Sequence, residues 1–203
     1  MADPVSGSRT SVQVAGIGGM MRSPLVVLIV VLSLMTFGPP CLAGQSKTVS
    51  GRAIGEITPS FPVLDVTGPH KGKAVCYVCA YKDAPTVLAF FRQTGEEMAS
   101  VVTKLNELAR QNQDIRVVAV VIEGQDSQPR LEKFAQENDI TIPLTVFRNG
   151  KDDVGMKIYK LNASINNTIL VSVKRKVAAN LVNVNAENFK TLANTISKVL
   201  DQR

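Results

Sequence analysis

Two short apolar segments constrain the fold of this chain more than any other feature. Residues 86–91, TVLAFF, are β-branched and aromatic and follow a proline, and residues 117–122, VVAVVI, are apolar throughout. Short runs of this kind are typical of buried strands. A strand that is apolar on both faces belongs to the centre of a parallel sheet covered by helices. The sequence therefore predicts an α/β domain in which both segments are buried strands.

The segment between these strands predicts a helix. Thr94 is followed three residues later by Glu97, which matches a capping box at a helix start. Apolar residues then recur at helical spacing and form one stripe: Met98, Val101, Val102, Leu105 and Leu108. We expect Thr94 and Glu97 to cap this helix and to take no part in chemistry.

The remaining pattern completes the order β–β–α–β–α–β–β–β–α. The further predicted elements are a short strand in 61–68, a helix over 127–138, a strand over 141–147, a hairpin of 168–173 with 177–184, and a final helix capped at Asn185. The hairpin strands are joined by a solvated basic turn, Lys174-Arg175-Lys176. Strands that alternate with helices and close with a hairpin and helix favour a three-layer α/β sandwich with a mixed central sheet.

The N-terminal region has the pattern of a secretory signal. Residues 25–37 are apolar, but the run is shorter than the roughly 20 residues that a membrane-spanning helix needs. It matches the apolar region of a signal peptide, with the small residues Cys41 and Ala43 before a cleavage site. The long polar stretch before it indicates that the true start is Met20 or Met21. A lipid anchor on Cys41 and an uncleaved signal anchor remain alternatives.

These features divide the chain into three parts. We expect a signal peptide at 1–43, a linker at 44–60, and one folded domain at 61–203. The protein is then exported, to the periplasm or the medium, and keeps no stable membrane anchor after cleavage. The whole chain has a formal net charge of only +6, with basic residues spread along it. A nucleic-acid-binding protein would show a stronger basic stripe, so no nucleic-acid partner is expected.

Signal cleavage removes Cys41 and leaves two cysteines, Cys76 and Cys79. In an oxidising compartment such a pair is disulfide-bonded, redox-active or metal-bound. On a straight strand the two side chains would point to opposite faces, so bonding requires a turn through Tyr77 and Val78. The sequence has no Gly-rich phosphate loop and no Ser/His/Asp arrangement, and we expect no cofactor.

Three stretches resemble the thioredoxin-like superfamily in its redoxin form. They are FPVLDVTG at 61–68, TVLAFFRQTGEEMASVVTKLNELA from residue 86, and YKLNASINNTILVSVKRKVAANL from residue 159. The chain is similar in particular to secreted bacterial thioredoxin-like proteins with a Cys-x-x-Cys before the first core strand. This resemblance implies a thioredoxin-like three-layer sandwich, and protein thiols or disulfides as partners.

The chain departs from the redoxin pattern at the usual active site. Redoxins place their attacking cysteine at the head of the first core helix, but residues 92–98 contain no cysteine. A family-type peroxidase is therefore not expected. At the position of the family's cis-proline the chain aligns Asn167-Thr168, and the chain order favours this alignment over one with Pro143.

Three interpretations of the cysteine pair stay open. The leading one is thiol-disulfide exchange at Cys76 and Cys79, because a disulfide in so small a loop is labile when strained and exposed. The second is a binding or scaffold protein with a structural disulfide. The third is a metal site formed by His70, Cys76 and Cys79. Because the cysteines precede TVLAFF, we expect them near the start of this strand, far from Thr94.

Overall fold

In the computed structural model, residues 50–201 are described; the expected signal peptide lies outside them. Within 50–201 seven strands form one mixed sheet in the order β2-β1-β5-β4-β3-β6-β7. The strands are β1 (Val63–Asp65), β2 (Ala74–Val75), β3 (Thr86–Phe91), β4 (Arg116–Val121), β5 (Leu144–Val146), β6 (Asn167–Val173) and β7 (Lys176–Val182). The helices are α1 (Tyr77–Tyr81), α2 (Glu96–Gln111), α3 (Gln128–Glu137), α4 (Val154–Ile158) and α5 (Phe189–Asp201).

The two apolar segments form the centre of the sheet, as the sequence predicts. β3 pairs parallel with β4, Thr86 opposite Arg116, and antiparallel with β6, Phe91 opposite Asn167. Every residue of β3 is buried. Successive side chains of a strand point to opposite faces, so β3 contributes to the core on both sides of the sheet.

The two faces are covered by different elements. One face packs against α2, α3 and α5, which contribute residues such as Val102, Leu131 and Leu192 to a single apolar cluster. The other face is covered by α1, α4 and the segment before β1, with Phe61 and Tyr159 against Phe90. The expected three-layer sandwich with a mixed sheet is therefore confirmed. No helix among residues 50–201 combines the length and apolarity needed to cross a membrane.

The segment expected as a linker, 44–60, is described from Ser50 onward, and this part packs against the domain. The Ser50 hydroxyl lies 2.6 Å from that of Thr168, and the Gly51 amide donates to the Lys160 carbonyl at 2.9 Å. Gly51 has a φ of 89°, and a Cβ there would come 2.7 Å from Thr168 Cγ2. Farther along, Ile57 forms an antiparallel bridge with Lys176. Residues 50–60 are thus ordered by contacts with β6 and β7.

Candidate functional site at the Cys76–Cys79 disulfide

Cys76 and Cys79 form a disulfide on the first turn of α1. Cys76 is the N-cap, with extended backbone at φ −103° and ψ 97°, and its sulfur accepts a hydrogen bond from the Cys79 amide at 3.2 Å. A helical turn brings residues three apart to the same side, which supplies the turn that the sequence requires. The two Cα atoms are 5.2 Å apart, within the usual range for a disulfide.

The pair lies at the N-terminal end of β3, where the chain order placed it. The Lys174 amide, in the β6–β7 turn, donates to the carbonyl of Asp83 between α1 and β3. This turn begins two residues after Ser172, which pairs with Thr86 at the start of β3. Thr94 follows the opposite end of the strand, about 20 Å away at ~3.3 Å per residue.

The two residues between the cysteines anchor the disulfide to the core. Tyr77 and Val78 are buried, and the Tyr77 hydroxyl donates to Asp65 Oδ2 at 2.7 Å. Burial, reinforced by this hydrogen bond to a carboxylate, raises the pKa of Tyr77 far above its ordinary value. The phenol therefore remains a hydrogen-bond donor over the physiological pH range.

Asp65 is fully buried at the end of β1 and organises the loop that faces α1. Its carboxylate also accepts from the backbone amides of Gly68 and His70, each at 2.7 Å. A Cβ at Gly68 would overlap the Tyr77 hydroxyl and come 2.7 Å from Asp65 Oδ2. Glycine at this position lets loop, carboxylate and phenol approach closely. The buried side of the disulfide turn is thus hydrogen-bonded to β1 through Tyr77 and Asp65, and both polar side chains have partners.

The outer side of the disulfide is accessible and polar. Cys79 is exposed, whereas Cys76 is only partly exposed. The Ser60 hydroxyl lies 3.2 Å from Cys79 Sγ, and Arg175 Nη2 donates to Ser60 Oγ at 3.1 Å. Neither residue stands out in the sequence, because Ser60 falls in the expected linker and Arg175 in the expected solvated turn.

His70 does not complete a metal site in this disulfide-bonded form. It is exposed, its backbone amide binds Asp65, and its ring centre is 6.2 Å from that of Tyr77. Across residues 50–201, no three His, Cys, Asp or Glu side chains are grouped so that they could hold a metal ion. Both sulfurs are bonded to each other and offer no thiolate. Metal binding by the reduced form stays a prediction.

At the opposite end of β3 the predicted capping box is wrong. The N-cap of α2 is Gly95, with φ 153°, and no side chain caps this helix. The Thr94 amide and hydroxyl donate instead to the Glu123 carboxylate, and Arg130 Nε donates to Thr94 Oγ1. Glu97 accepts from the side-chain amide of Asn167 at 3.3 Å.

Asn167, which the sequence aligns with the family's cis-proline, lies beside the head of α2. Its side chain forms two hydrogen bonds with the backbone of Val184, accepting from the amide at 2.9 Å and donating to the carbonyl at 2.7 Å. Both residues are buried. A cleft of about 180 Å³ remains at this end, lined by residues 91–98 and 166–167. Its lining contains no cysteine.

Comparison with solved structures places this architecture among thioredoxin folds. A cysteine-to-serine mutant of PrxQ from Xylella fastidiosa aligns with a TM-score of 0.59 and 14% identity, over 75% of this chain and 99% of that one. The thioredoxin domain of a thiol-disulfide oxidoreductase from Bacteroides vulgatus aligns with a TM-score of 0.56 and 14% identity, over 73% and 98%.

A third similar structure is a secreted Mycobacterium tuberculosis disulfide oxidoreductase homologous to E. coli DsbE. It aligns with a TM-score of 0.54 and 13% identity, over 68% of this chain and 95% of that one. No family model and no curated protein sequence matches the chain. Identities this low establish the fold alone. The domain is thus a thioredoxin-like fold that carries a Cys-x-x-Cys disulfide, and the expected resemblance in fold is confirmed.

Proposed function

We propose that this thioredoxin-fold protein is exported and exchanges disulfides with protein thiols through Cys76 and Cys79. The observation that carries the proposal is an accessible disulfide on a turn whose other two residues are anchored in the core. Cys79 is exposed while Tyr77 and Val78 are buried. The bond can therefore open and close while its support stays fixed.

A purely structural role fits this arrangement less well. A disulfide stabilises mainly by restricting the unfolded chain, and the restriction is weak when the loop is as small as Cys76 to Cys79. The turn is also held without the bond, because Tyr77 binds Asp65 and Val78 packs in the core. A structural disulfide at this position would add little stability beyond that of the contacts that already exist.

The chemistry needs only the two sulfurs and a substrate dithiol. A substrate thiolate attacks one sulfur, the Cys76–Cys79 bond breaks, and its electron pair leaves on the other sulfur as a thiolate. The second substrate thiolate then attacks the substrate sulfur of the mixed disulfide and expels the reduced protein. The substrate is oxidised to a disulfide by two electrons, and the Cys76–Cys79 pair is reduced by two.

Export would set the direction of this exchange. The expected signal peptide at 1–43 sends the domain to an oxidising compartment, where disulfides persist and protein thiols are available as substrates. One of the structurally similar proteins is a secreted disulfide oxidoreductase. N-terminal sequencing of the exported protein checks this part, with a mature terminus near Gly44 as the expected result.

The decisive experiment equilibrates the full-length protein in glutathione redox buffers and measures the reduction potential of the Cys76–Cys79 couple. We expect a value above about −300 mV, the range of labile and catalytic disulfides, together with exchange toward a dithiol peptide. The matched control is the double variant Cys76→Ser/Cys79→Ser, which keeps the fold contacts of Tyr77 and Val78 and should show only background exchange.

Two results would replace the proposal with one of the alternatives. A potential well below about −300 mV, without peptide oxidation or reduction, would leave a structural disulfide. Stoichiometric metal in the reduced protein that is lost in His70→Ala would indicate the metal site of His70, Cys76 and Cys79.

A further inference from the structure

The surroundings of the two sulfurs differ, and the difference lies in Ser60 and Arg175. Ser60 Oγ is 3.2 Å from Cys79 Sγ and accepts a hydrogen bond from Arg175 Nη2 at 3.1 Å. A disulfide sulfur carries no hydrogen, so in this contact the Ser60 hydroxyl is the donor and Cys79 Sγ the acceptor. The guanidinium of Arg175 thus polarises a hydroxyl that donates to Cys79.

Backbone hydrogen bonds hold the Arg175–Ser60–Cys79 chain of contacts, called the relay below, in place. The Arg175 carbonyl accepts from the Thr58 amide at 2.8 Å, and the Pro59 carbonyl accepts from the Tyr159 hydroxyl at 2.7 Å. Ser60 is therefore held by the residue before it and by Arg175. Arg175 has a φ of 59° in the two-residue turn between β6 and β7, an uncommon conformation for a side chain of this size.

The positive charge of Arg175 is not neutralised by a neighbouring carboxylate. Within the described part of the chain, Arg175 forms no ion pair with an Asp or Glu side chain. Its Nε is buried without a hydrogen-bond partner. A partly buried charge of this kind favours an anion nearby. Among the described residues, Cys79 is the group in contact with Ser60 that becomes an anion on reduction.

Cys76 has no comparable cation relay among its described contacts. Its sulfur accepts from the Cys79 amide at 3.2 Å, and it is less exposed than Cys79. The amide can stabilise a thiolate that leaves from Cys76 once the disulfide opens. Access from solvent, however, favours attack of a bulky substrate at Cys79.

We infer that Ser60 and Arg175 stabilise the thiolate of Cys79 and make Cys79 the sulfur that forms the mixed disulfide with the substrate. This inference rests on the proposed function and assigns its two cysteines different roles. In the oxidised protein a substrate thiolate attacks Cys79, and the electron pair of the broken bond leaves on Cys76. The second substrate thiolate then attacks the substrate sulfur, the bond between that sulfur and Cys79 breaks, and its electron pair leaves on Cys79, where the Ser60 hydroxyl donates to it.

Other titratable groups lie on the elements around Cys79, but none of those in the described part of the chain is linked to its sulfur as Arg175 is through Ser60. From the elements packed around Cys79, they are Tyr77, Tyr81, Lys82 and Asp83 of the α1 region, Asp65 beneath it, Tyr159 behind Pro59, and Lys174 beside Arg175. Burial raises the pKa of Tyr81 to about 12, and Tyr77 is shifted further in the same direction, so both are neutral at pH 7. The Asp65 carboxylate already accepts hydrogen bonds from three donors.

The test measures the pH dependence of iodoacetamide alkylation in the reduced full-length protein, with fragment-ion mapping to separate Cys76, Cys79 and Cys41. We expect Cys79 to be alkylated at lower pH than Cys76. Arg175→Gln should raise the midpoint for Cys79 by about one unit, which is about tenfold less thiolate below the midpoint, and leave Cys76 unchanged. Ser60→Ala should shift Cys79 in the same direction.

Lys174→Gln is the matched control, because it removes the same charge from the same turn without touching Ser60. It should shift Cys79 by less than about 0.3 unit, since solvent screens an exposed charge. In a second readout, Cys76→Ser should accumulate a mixed disulfide with a model peptide, and Cys79→Ser should not.

The inference is overturned if Cys76 is the thiol alkylated at lower pH, or if Ser60→Ala and Arg175→Gln leave the Cys79 midpoint in place. Ser60→Ala is sufficient for this decision if Arg175→Gln lowers the yield of folded protein. Alkylation reports on the thiol whether or not the protein exchanges disulfides with substrates. Failure of the proposed function would therefore appear as absent peptide exchange with the Cys79 shift intact.

Discussion

The two ends of strand β3 carry similar kinds of residues in opposite arrangements. At its C-terminal end Thr94, Glu97 and Asn167 direct their polar groups to each other and to neighbouring protein groups. At its N-terminal end Ser60 and Arg175 direct theirs outward to Cys79, an exposed sulfur in a bond that can be broken. At one end the polar side chains are paired within the protein, and at the other they lead to an exposed disulfide sulfur.

This difference teaches that the fold does not decide at which end of the strand the cysteines lie. The helix that follows β3 presents free amides at its first turn, the surroundings that would lower the pKa of a cysteine placed there. This chain has glutamates in that turn, Glu96 and Glu97, and no cysteine. The disulfide is carried by a separate short helix before the strand, supported by β1 and the β6–β7 turn. Function must therefore be argued from the site.

The largest expected loss of stability comes from a substitution at the C-terminal end of β3. Asn167→Ala leaves the buried amide and carbonyl of Val184 without partners, and each unpaired buried group costs about 1–3 kcal/mol. We expect the free energy of unfolding to fall by about 2–4 kcal/mol in urea denaturation, with unchanged disulfide exchange by the folded protein. Asn166→Ala is the control, since this exposed residue loses a side-chain bond to Glu97 and should cost below about 0.5 kcal/mol.

A loss of exchange in Asn167→Ala that exceeds its loss of folded protein would contradict the comparison. It would mean that the cleft near Thr94 takes part in the reaction, although it contains no cysteine.

The next largest loss of stability comes from a substitution in the loop that packs beneath the disulfide. Gly68→Ala places a methyl group against the Tyr77 hydroxyl and Asp65, and relieving the overlap requires the hydrogen-bonded loop to shift. We expect a loss of about 1–3 kcal/mol in stability, as for other overpacked sites. The exchange rate should change too, because Tyr77 lies between the two cysteines. The measurement is urea unfolding combined with peptide exchange.

A double-mutant cycle with Tyr77→Phe sharpens this prediction. Removing the hydroxyl makes room for the added methyl group, so the double variant should be more stable than the sum of the two losses predicts, by at least about 0.5 kcal/mol. Strict additivity would show that Gly68 and Tyr77 are not coupled through this contact.

The comparison of the two ends also shows what the sequence could predict. β3 and β4 followed from continuous apolar runs, and α2 followed from its apolar stripe, because burial alone determines both patterns. α1 was missed because Tyr77–Tyr81 is only five residues long, below the length at which helical periodicity is visible. Its position depends on the hydrogen bond from Tyr77 to Asp65 and on the Cys76–Cys79 disulfide, a tertiary and a covalent contact.

The candidate site was predictable only in part. The sequence predicted that Cys76 and Cys79 act as a disulfide-bonded, redox-active or metal-bound pair, and the chain order placed this pair before β3. Ser60 and Arg175 gave no local signal, because Ser60 pairs with a residue 115 positions away. The capping box failed for a related reason: Glu123 and Arg130, far along the chain, take the Thr94 hydroxyl that the local pattern assigned to a helix amide.

The smallest expected loss of stability is that of Thr94→Ala. Its pH dependence distinguishes a helix cap from the observed hydrogen bonds of Thr94 with Glu123 and Arg130. Partial burial acts to raise the pKa of Glu123, but the hydrogen bonds from the Thr94 amide and hydroxyl and from Arg130 outweigh it, so the pKa is lowered. A lowered pKa stabilises the fold above the unfolded value near 4.5 and loses this contribution as pH falls through the folded value.

Because the network is exposed, Thr94→Ala should cost less than about 0.5 kcal/mol at pH 7. The cost should shrink further below about pH 4.5, as Glu123 takes up a proton. Urea unfolding at pH 7 and pH 3.5 measures both values, with Thr94→Ser, which keeps the hydroxyl, as the control. A helix cap would instead cost about 1 kcal/mol at both pH values, because a hydroxyl that accepts from a backbone amide does not titrate.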